Sequence, residues 1–143
     1  MTGTATRSDL LAVQAAGVRF QNPIVLAAGT AAYGRELRDV IALDALGGIG
    51  TKAVSVAPRA GAPAPRVAEA SDGVMLNAVG LANPGLEDVK RVELPWLAAH
   101  AGGARVLVNV VGSTIEDYAT VVAGLTNERG VDVFELNVSC PNV

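Results

Sequence analysis

The stretch Arg105-Val106-Leu107-Val108-Asn109-Val110-Val111-Gly112-Ser113-Thr114-Ile115-Glu116, running on through 117–130 to Val131-Asp132-Val133-Phe134-Glu135-Leu136-Asn137-Val138, decides the fold. Arg105 to Val111 is aliphatic and mostly β-branched, which predicts a strand buried on both faces. Gly112 ends it. Ser113-Thr114-Ile115-Glu116 has the form of a capping box, with Ser113 as N-cap and Glu116 at N3. It opens a helix predicted to run to about Asn127 and to stop at Gly130. Val131 to Val138 is the second strand. A strand, a helix and a strand in so short a span predict a parallel pair joined by a right-handed crossover.

The same alternation recurs upstream. Leu10 to Phe20 reads as a short hairpin around Ala16-Gly17, and Asn22 to Ala28 as a strand stopped at Gly29. Arg35 to Leu46 predicts a helix, with Leu37, Val40, Ile41 and Ala45 on one face. Ile49 to Val56 is again strand-like. The Pro-, Gly- and Ala-rich segment from Ala57 to Gly85 breaks the rhythm and reads as a functional loop or a small β excursion. Leu86 to Ala101 predicts a helix bent at Pro95. The order argues for an α/β fold with a parallel sheet. An open doubly wound sheet and a TIM (β/α)8 barrel both fit it. Four βα units make about half a barrel, since a full one needs ~250 residues. Stopping after the fourth strand leaves two unpaired sheet edges. Residues 1–143 are therefore expected to form the N-terminal half of a single barrel domain, as a fragment of a longer chain.

Composition narrows the function. The chain has 143 residues, half of them hydrophobic and only 3% aromatic, so its core is aliphatic. The net charge of −3 is dispersed. Without a basic run or aromatics for base stacking, nucleic-acid binding is disfavoured. One Cys and one His exclude a disulfide framework and disfavour a zinc site, so no metal is expected. The polar start, Met1 to Asp9, carries no signal-peptide core, and no stretch is long and apolar enough to span a bilayer. A cytoplasmic, non-membrane protein is expected.

In parallel α/β folds the chemistry lies at the carboxyl ends of the strands. There the sequence offers Ala27-Ala28-Gly29-Thr30, Thr51-Lys52-Ala53, Asn109, and Asn137 with Ser139, Cys140 and Asn142; the excursion adds Asn77-Ala78-Val79-Gly80-Leu81 and Asn83-Pro84-Gly85. Amides donate and accept, so they suit a ligand with alternating N–H and C=O groups, such as a pyrimidine dione or a flavin edge. Lys52 in an apolar strand either meets an anionic ligand or snorkels to solvent. A lone cysteine such as Cys140 is more often an inert core thiol than a base. Asn83-Pro84-Gly85 reads as a turn. Glu135 reads as a buried hydrogen-bonding carboxylate and His100 as an exposed helix end.

Glu135-Leu136-Asn137-Val138-Ser139-Cys140-Pro141-Asn142 resembles the catalytic-loop signature of class 1 dihydroorotate dehydrogenases. Met75 through Gly85 resembles their substrate-binding stretch, and Asn22-Pro23-Ile24 through Gly29 their first strand and flavin loop. The Lys52 region and Asn109-Val110-Val111-Gly112 fall in register. Class 2 enzymes carry Ser at the Cys140 position. The runs Asn77 to Leu81 and Glu93-Leu94-Pro95-Trp96-Leu97 look most like the NAD-linked class 1B form, which works with an iron–sulfur/FAD electron-transfer subunit; the fumarate-linked form is the runner-up.

The resemblance implies oxidation of dihydroorotate to orotate in pyrimidine biosynthesis, with FMN as cofactor and a homo-oligomeric core. It implies Cys140 as the base at C5 while hydride leaves C6. It places Lys52, Asn77, Ala78, Val79, Gly80, Leu81 and Asn137 at the substrate, and Ala28, Gly29, Lys52, Ala53, Asn109 and Asn137 at the flavin. Two departures stand out: Ala28 replaces a frequent Ser, and Gly61-Ala62 replaces a frequent Gly-Asn. The strands seven and eight that usually grip a phosphate are absent. The alternatives are an inactive truncated half-barrel and another FMN-dependent pyrimidine oxidoreductase.

Overall fold

A computed structural model describes residues 10–140; Pro141 and Asn142 of the signature, and the polar start Met1 to Asp9, lie outside the described residues. The central sheet is parallel and has four strands: β3 (Val25–Leu26), β4 (Gly48–Gly50), β7 (Arg105–Val110) and β8 (Val133–Leu136). Their spatial order is β3-β4-β7-β8, the same as their order in the chain. A doubly wound sheet reverses direction at a switch point; this one does not, as in a barrel. Antiparallel hairpins sit outside it: β1 (Val13–Ala15) with β2 (Val18–Phe20), and β5 (Val67–Glu69) with β6 (Met75–Asn77). The excursion between β4 and the next helix is thus a β hairpin on loops.

The register explains the two faces of the sheet. Leu26, Ile49 and Val106 form one cross-strand row, and Val108 pairs with Phe134. Side chains alternate between faces along a strand, so this face is apolar throughout. Ile49, Val106, Val108 and Val110 are buried there with Val89, Leu94, Leu97, Val121 and Leu125 from the helices. Each such side chain contributes roughly 1.5–3 kcal/mol when fully buried. The opposite face carries Gly50 beside Leu107, Leu107 beside Val133, and Asn109 beside Glu135. One face therefore makes the core, and the other carries the polar groups.

Three sequence expectations are corrected. The predicted helix over Arg35–Leu46 is only two 3-10 turns, Arg35–Leu37 and Leu43–Ala45. Ala42 takes an extended backbone (φ −74°, ψ 102°) that interrupts the helical run, and the turn beyond it is held by side chains from outside: Gln21 Nε2 donates to Asp44 O and Leu46 O, and Asn22 Nδ2 donates to Ala45 O. The cap at Ser113 shifts by one residue. Thr114 Oγ1 accepts from Asp117 N, and Asp117 returns the bond to the N-cap backbone, ahead of the helix Ile115–Leu125. The bend expected at Pro95 lies just before it, as a π-helical segment Val89–Glu93 between Leu86–Asp88 and Leu94–His100. Pro95 lacks an N–H and its ring crowds the carbonyl four residues back, so the turn widens upstream. His100 closes this helix exposed, stacked on Trp96 at 4.4 Å between ring centroids.

Arg35 pins the loop after β3 to this helix pair. Its Nε donates to Glu93 Oε2 at 2.9 Å, and its guanidinium lies 4.8 Å from the Trp96 ring centroid. Tyr33 beside it is buried, and its hydroxyl has no hydrogen-bond partner among the described residues. Burial first, and the Glu93 carboxylate second, push its pKa up.

Candidate active site

Four chain segments converge at the carboxyl ends of the strands. After β3 the chain leaves the sheet at Ala28-Gly29-Thr30. Beyond β4 the ladder slips: Gly50 pairs with Leu107, but the next bridge joins Val54 to Val110. Four residues on one side oppose three on the other, the count of a β-bulge. Lys52 and Ala53 sit in that bulge, with Lys52 N donating to Ala32 O at 2.8 Å. The bulge turns them away from the ladder toward the cleft. β7 supplies Asn109, and the segment after β8 supplies Asn137 and Cys140.

These residues line one cavity of about 320 Å3, closed on another side by Asn77, Val79, Gly80 and Leu81 of the excursion. Every predicted site residue is in its wall except Ala78, whose N–H faces away and donates to Arg66 O. Thr30, named at the end of the first parallel strand but given no role, joins the wall. Its hydroxyl donates to Ala27 O at 2.7 Å, an ordinary turn bond that gives no sequence signal of a site. Lys52 is half-buried and its ammonium has no ion-pair partner among the described residues. The cleft is thus cationic at Lys52, carries three amides, Asn77, Asn109 and Asn137, and is otherwise lined mostly by small and apolar residues.

The amides are fixed in a chain. Asn109 is buried; its Nδ2 donates to Glu135 Oε1, and its Oδ1 accepts from Asn137 Nδ2 at 3.4 Å. Glu135 is exposed rather than buried, and its carboxylate orients Asn109. Thr51 Oγ1, wholly buried, accepts from Asn109 N at 3.2 Å. Asn137 N donates to Val110 O at 2.9 Å, which extends the ladder past β8. Asn109, buried, and Asn137, half-buried, are thereby held in fixed positions in the cleft wall.

Asn83 is not a simple turn residue. It is buried, and its side chain bonds Ser55 N, Ser55 Oγ, Gly85 N and Leu81 O. It ties the excursion to the chain beyond β4 and so sets Leu81 against the cleft. Arg59 does similar work: it exchanges backbone bonds with Asn83 and donates from Nη2 to Ser113 Oγ at 3.2 Å. Neither partner was legible in sequence, because Ser55 and Ser113 are distant from them along the chain.

Cys140 is a half-buried free thiol. It borders the first cavity and a second, of about 180 Å3, that also takes in Arg59, Ser113, Tyr118 and Ser139. It is therefore not an inert core thiol in its placement: it stands between two openings. No group of three or more His, Cys, Asp or Glu that could hold a metal occurs among the described residues. No helix among them is long and apolar enough to cross a membrane.

Comparison with known proteins gives the family. The family model described as "Dihydroorotate dehydrogenase" matches residues 10–143. "Dihydroorotate dehydrogenase B (NAD(+)), catalytic subunit" of Geobacillus sp. is 47% identical over 133 residues, covering 93% of this chain and 42% of that protein. "Dihydroorotate dehydrogenase A (fumarate)" of Lactiplantibacillus plantarum is 42% identical over 133 residues, with 93% and 43% covered. The crystal structure of dihydroorotate dehydrogenase from Eimeria tenella in complex with ferulenol shares the fold, with a TM-score of 0.67 at 24% identity over 95% of this chain and 39% of that one. The chain spans less than half the length of these relatives. With the sheet order, the cleft and a family match over residues 10–143, the chain belongs to the dihydroorotate dehydrogenase family.

Proposed function

We propose that residues 1–143 are the first four βα units of an FMN-dependent barrel that oxidises dihydroorotate to orotate, with Cys140 as the base. The observation that carries this reading is the convergence of Lys52, Asn109, Asn137 and Cys140 on one cavity with the Asn77–Leu81 stretch. The donor set suits a flavin. A half-buried ammonium without an acidic partner favours an anionic ligand or reduced flavin beside it, and the fixed amides of Asn109 and Asn137 offer hydrogen bonds to a ring edge. A Cβ at Gly29 would meet nothing within 4 Å, so that backbone is open to close approach. Bound FMN would supply a two-electron acceptor for the hydride leaving C6.

The chain's own residues do the rest. Lys52 would hold the carboxylate-bearing ligand and the flavin together. Asn77, Gly80 and Leu81 would grip the pyrimidine from the excursion, with Ala78 holding that segment in place through its backbone. Asn137 would contact both ligands. Cys140, as thiolate, would take the proton from C5 and become a thiol. A positioned base of this kind is worth roughly 10²–10⁴ in rate.

For the electron acceptor we favour NAD+ through a separate iron–sulfur/FAD subunit, supported by the identity to the NAD-linked relative; fumarate is the second reading, supported by the relative named for it. The test uses the full-length protein. It should purify yellow, bleach anaerobically with dihydroorotate but not dihydrouracil, and recover with NAD+ only when the partner subunit is present. Bleaching by dihydrouracil instead would move the reading to another pyrimidine oxidoreductase. Recovery with fumarate alone would reverse the acceptor.

A further inference from the structure

Tyr118 stands in the first turn of the helix Ile115–Leu125, yet its hydroxyl reaches the end of the sheet. Its Oη donates to the carbonyl of Asn137 at 2.6 Å. That carbonyl belongs to the peptide just past β8, three residues before Cys140. The rest of Asn137 is held from another side: its N–H by Val110 O at 2.9 Å, and its side chain by Asn109 Oδ1 at 3.4 Å. The hydroxyl of Tyr118 is therefore the tether on the peptide that leads to Cys140.

The ring has a seat made for it. A Cβ at Gly112 would come within 3.0 Å of Cδ2 and 3.1 Å of Cε2 of Tyr118, and within 2.6 Å of Asp117 Cβ. Only a residue without a side chain leaves the ring that room. Tyr118 packs partly buried against the core, and its ring and Cys140 border the same second cavity.

We propose that Tyr118 is a positioning residue for the proton transfer: its hydroxyl fixes the Asn137–Val138 peptide and so aims the thiol of Cys140. This rests on the reading of Cys140 as base given above. Because Asn109 and Asn137 are held independently through β7, loss of the hydroxyl frees the chain toward Cys140 but leaves the ligand-facing amides in place. The proton-transfer step is then slowed and binding is not.

The test is Tyr118→Phe in the full-length protein. It reads FMN content, orotate affinity from the shift in the flavin spectrum, and single-turnover bleaching with dihydroorotate carrying deuterium at C5 or at C6. The expected result is bleaching about tenfold slower, since small misplacements of a reacting group cost rate steeply. FMN content and orotate affinity stay within about twofold, and the C5 isotope effect grows while the C6 effect does not. An unchanged rate, or a rate lost in parallel with FMN and orotate affinity, overturns the proposal. Gly112→Ala, which displaces the ring, should show the same split, and adding Tyr118→Phe to it should cost little more; additive losses count against the tether. If the wild-type protein does not bleach, the substrate reading falls. The tether is then judged by iodoacetamide alkylation of Cys140, which Tyr118→Phe speeds if the loop was held and leaves unchanged if it was not.

Discussion

At the residue scale, Asp117 shows how the site's frame is wired. Its Oδ2 accepts from Ser113 N at 2.8 Å and from Thr114 N at 3.1 Å. These bonds, Ser113 first, hold its pKa below the ordinary carboxylate value. A depressed carboxylate stabilises the fold above its unfolded pKa, and that contribution is lost as pH falls through the folded value. Asp117→Asn should therefore lower the thermal midpoint at pH 7 and lose its difference from wild type below the ordinary carboxylate range. A difference that persists unchanged at pH 2 would contradict this assignment. Ala62 is a departure from the family pattern with a structural answer: its N–H donates to Val79 O and its carbonyl accepts from Arg66 Nε. The loop's backbone groups are thus bonded by Val79 O and by the Arg66 guanidinium, which also donates to Ala60 O.

At the element scale, the helix Ile115–Leu125 carries both the cap at Thr114 and the reach of Tyr118 to Asn137. Thr114→Ala removes the cap and should cost about 1 kcal/mol, a typical N-cap loss. Ser113→Ala should cost less, because the Ser113 side chain makes only an exposed contact with Arg59. Chemical denaturation of both variants checks the order; the reverse order would restore Ser113 as the cap. The β7–helix–β8 unit was legible in sequence because a long apolar strand, a capping sequence and a second strand all agree. The Arg35–Leu46 segment was not, because it breaks at an extended Ala42 and its last turn is held by the side chains of Gln21 and Asn22, more than twenty residues away along the chain. The bulge that aims Lys52 was also invisible, since an extra residue in a ladder shows only against its partner strand.

At the scale of the whole molecule, β3 and β8 each pair with a single strand among the described residues, so the sheet has two open lateral edges there. Val25 on β3 and Leu136 on β8 are 40% and 54% exposed, and Val138 beyond β8 is 82% exposed. Open edges of this kind pair with further strands or aggregate. The cleft is likewise lined from only one part of a barrel. The 143 residues expressed alone should therefore retain little or no FMN after gel filtration, whereas the full-length protein should retain it; stoichiometric flavin on the short chain would show that these strands suffice. The candidate site was more legible than its frame. The amides, Lys52 and Cys140 stand where strand ends put them, and their types are unusual for apolar strands. Ser55, Arg59 and Tyr118 were not, because each acts through a contact made only on folding, and the same holds for the partner of Thr51 though Thr51 itself was in view.

In the proposed reaction the thiol at the end of β8 performs the proton transfer. Anaerobic stopped-flow bleaching of full-length wild type and Cys140→Ser by dihydroorotate at pH 7 tests it most directly. Cys140→Ser should hold FMN normally and bleach at least roughly 100-fold more slowly, because a hydroxyl is a poor base at that pH. Bleaching of Cys140→Ser at the wild-type rate would contradict it.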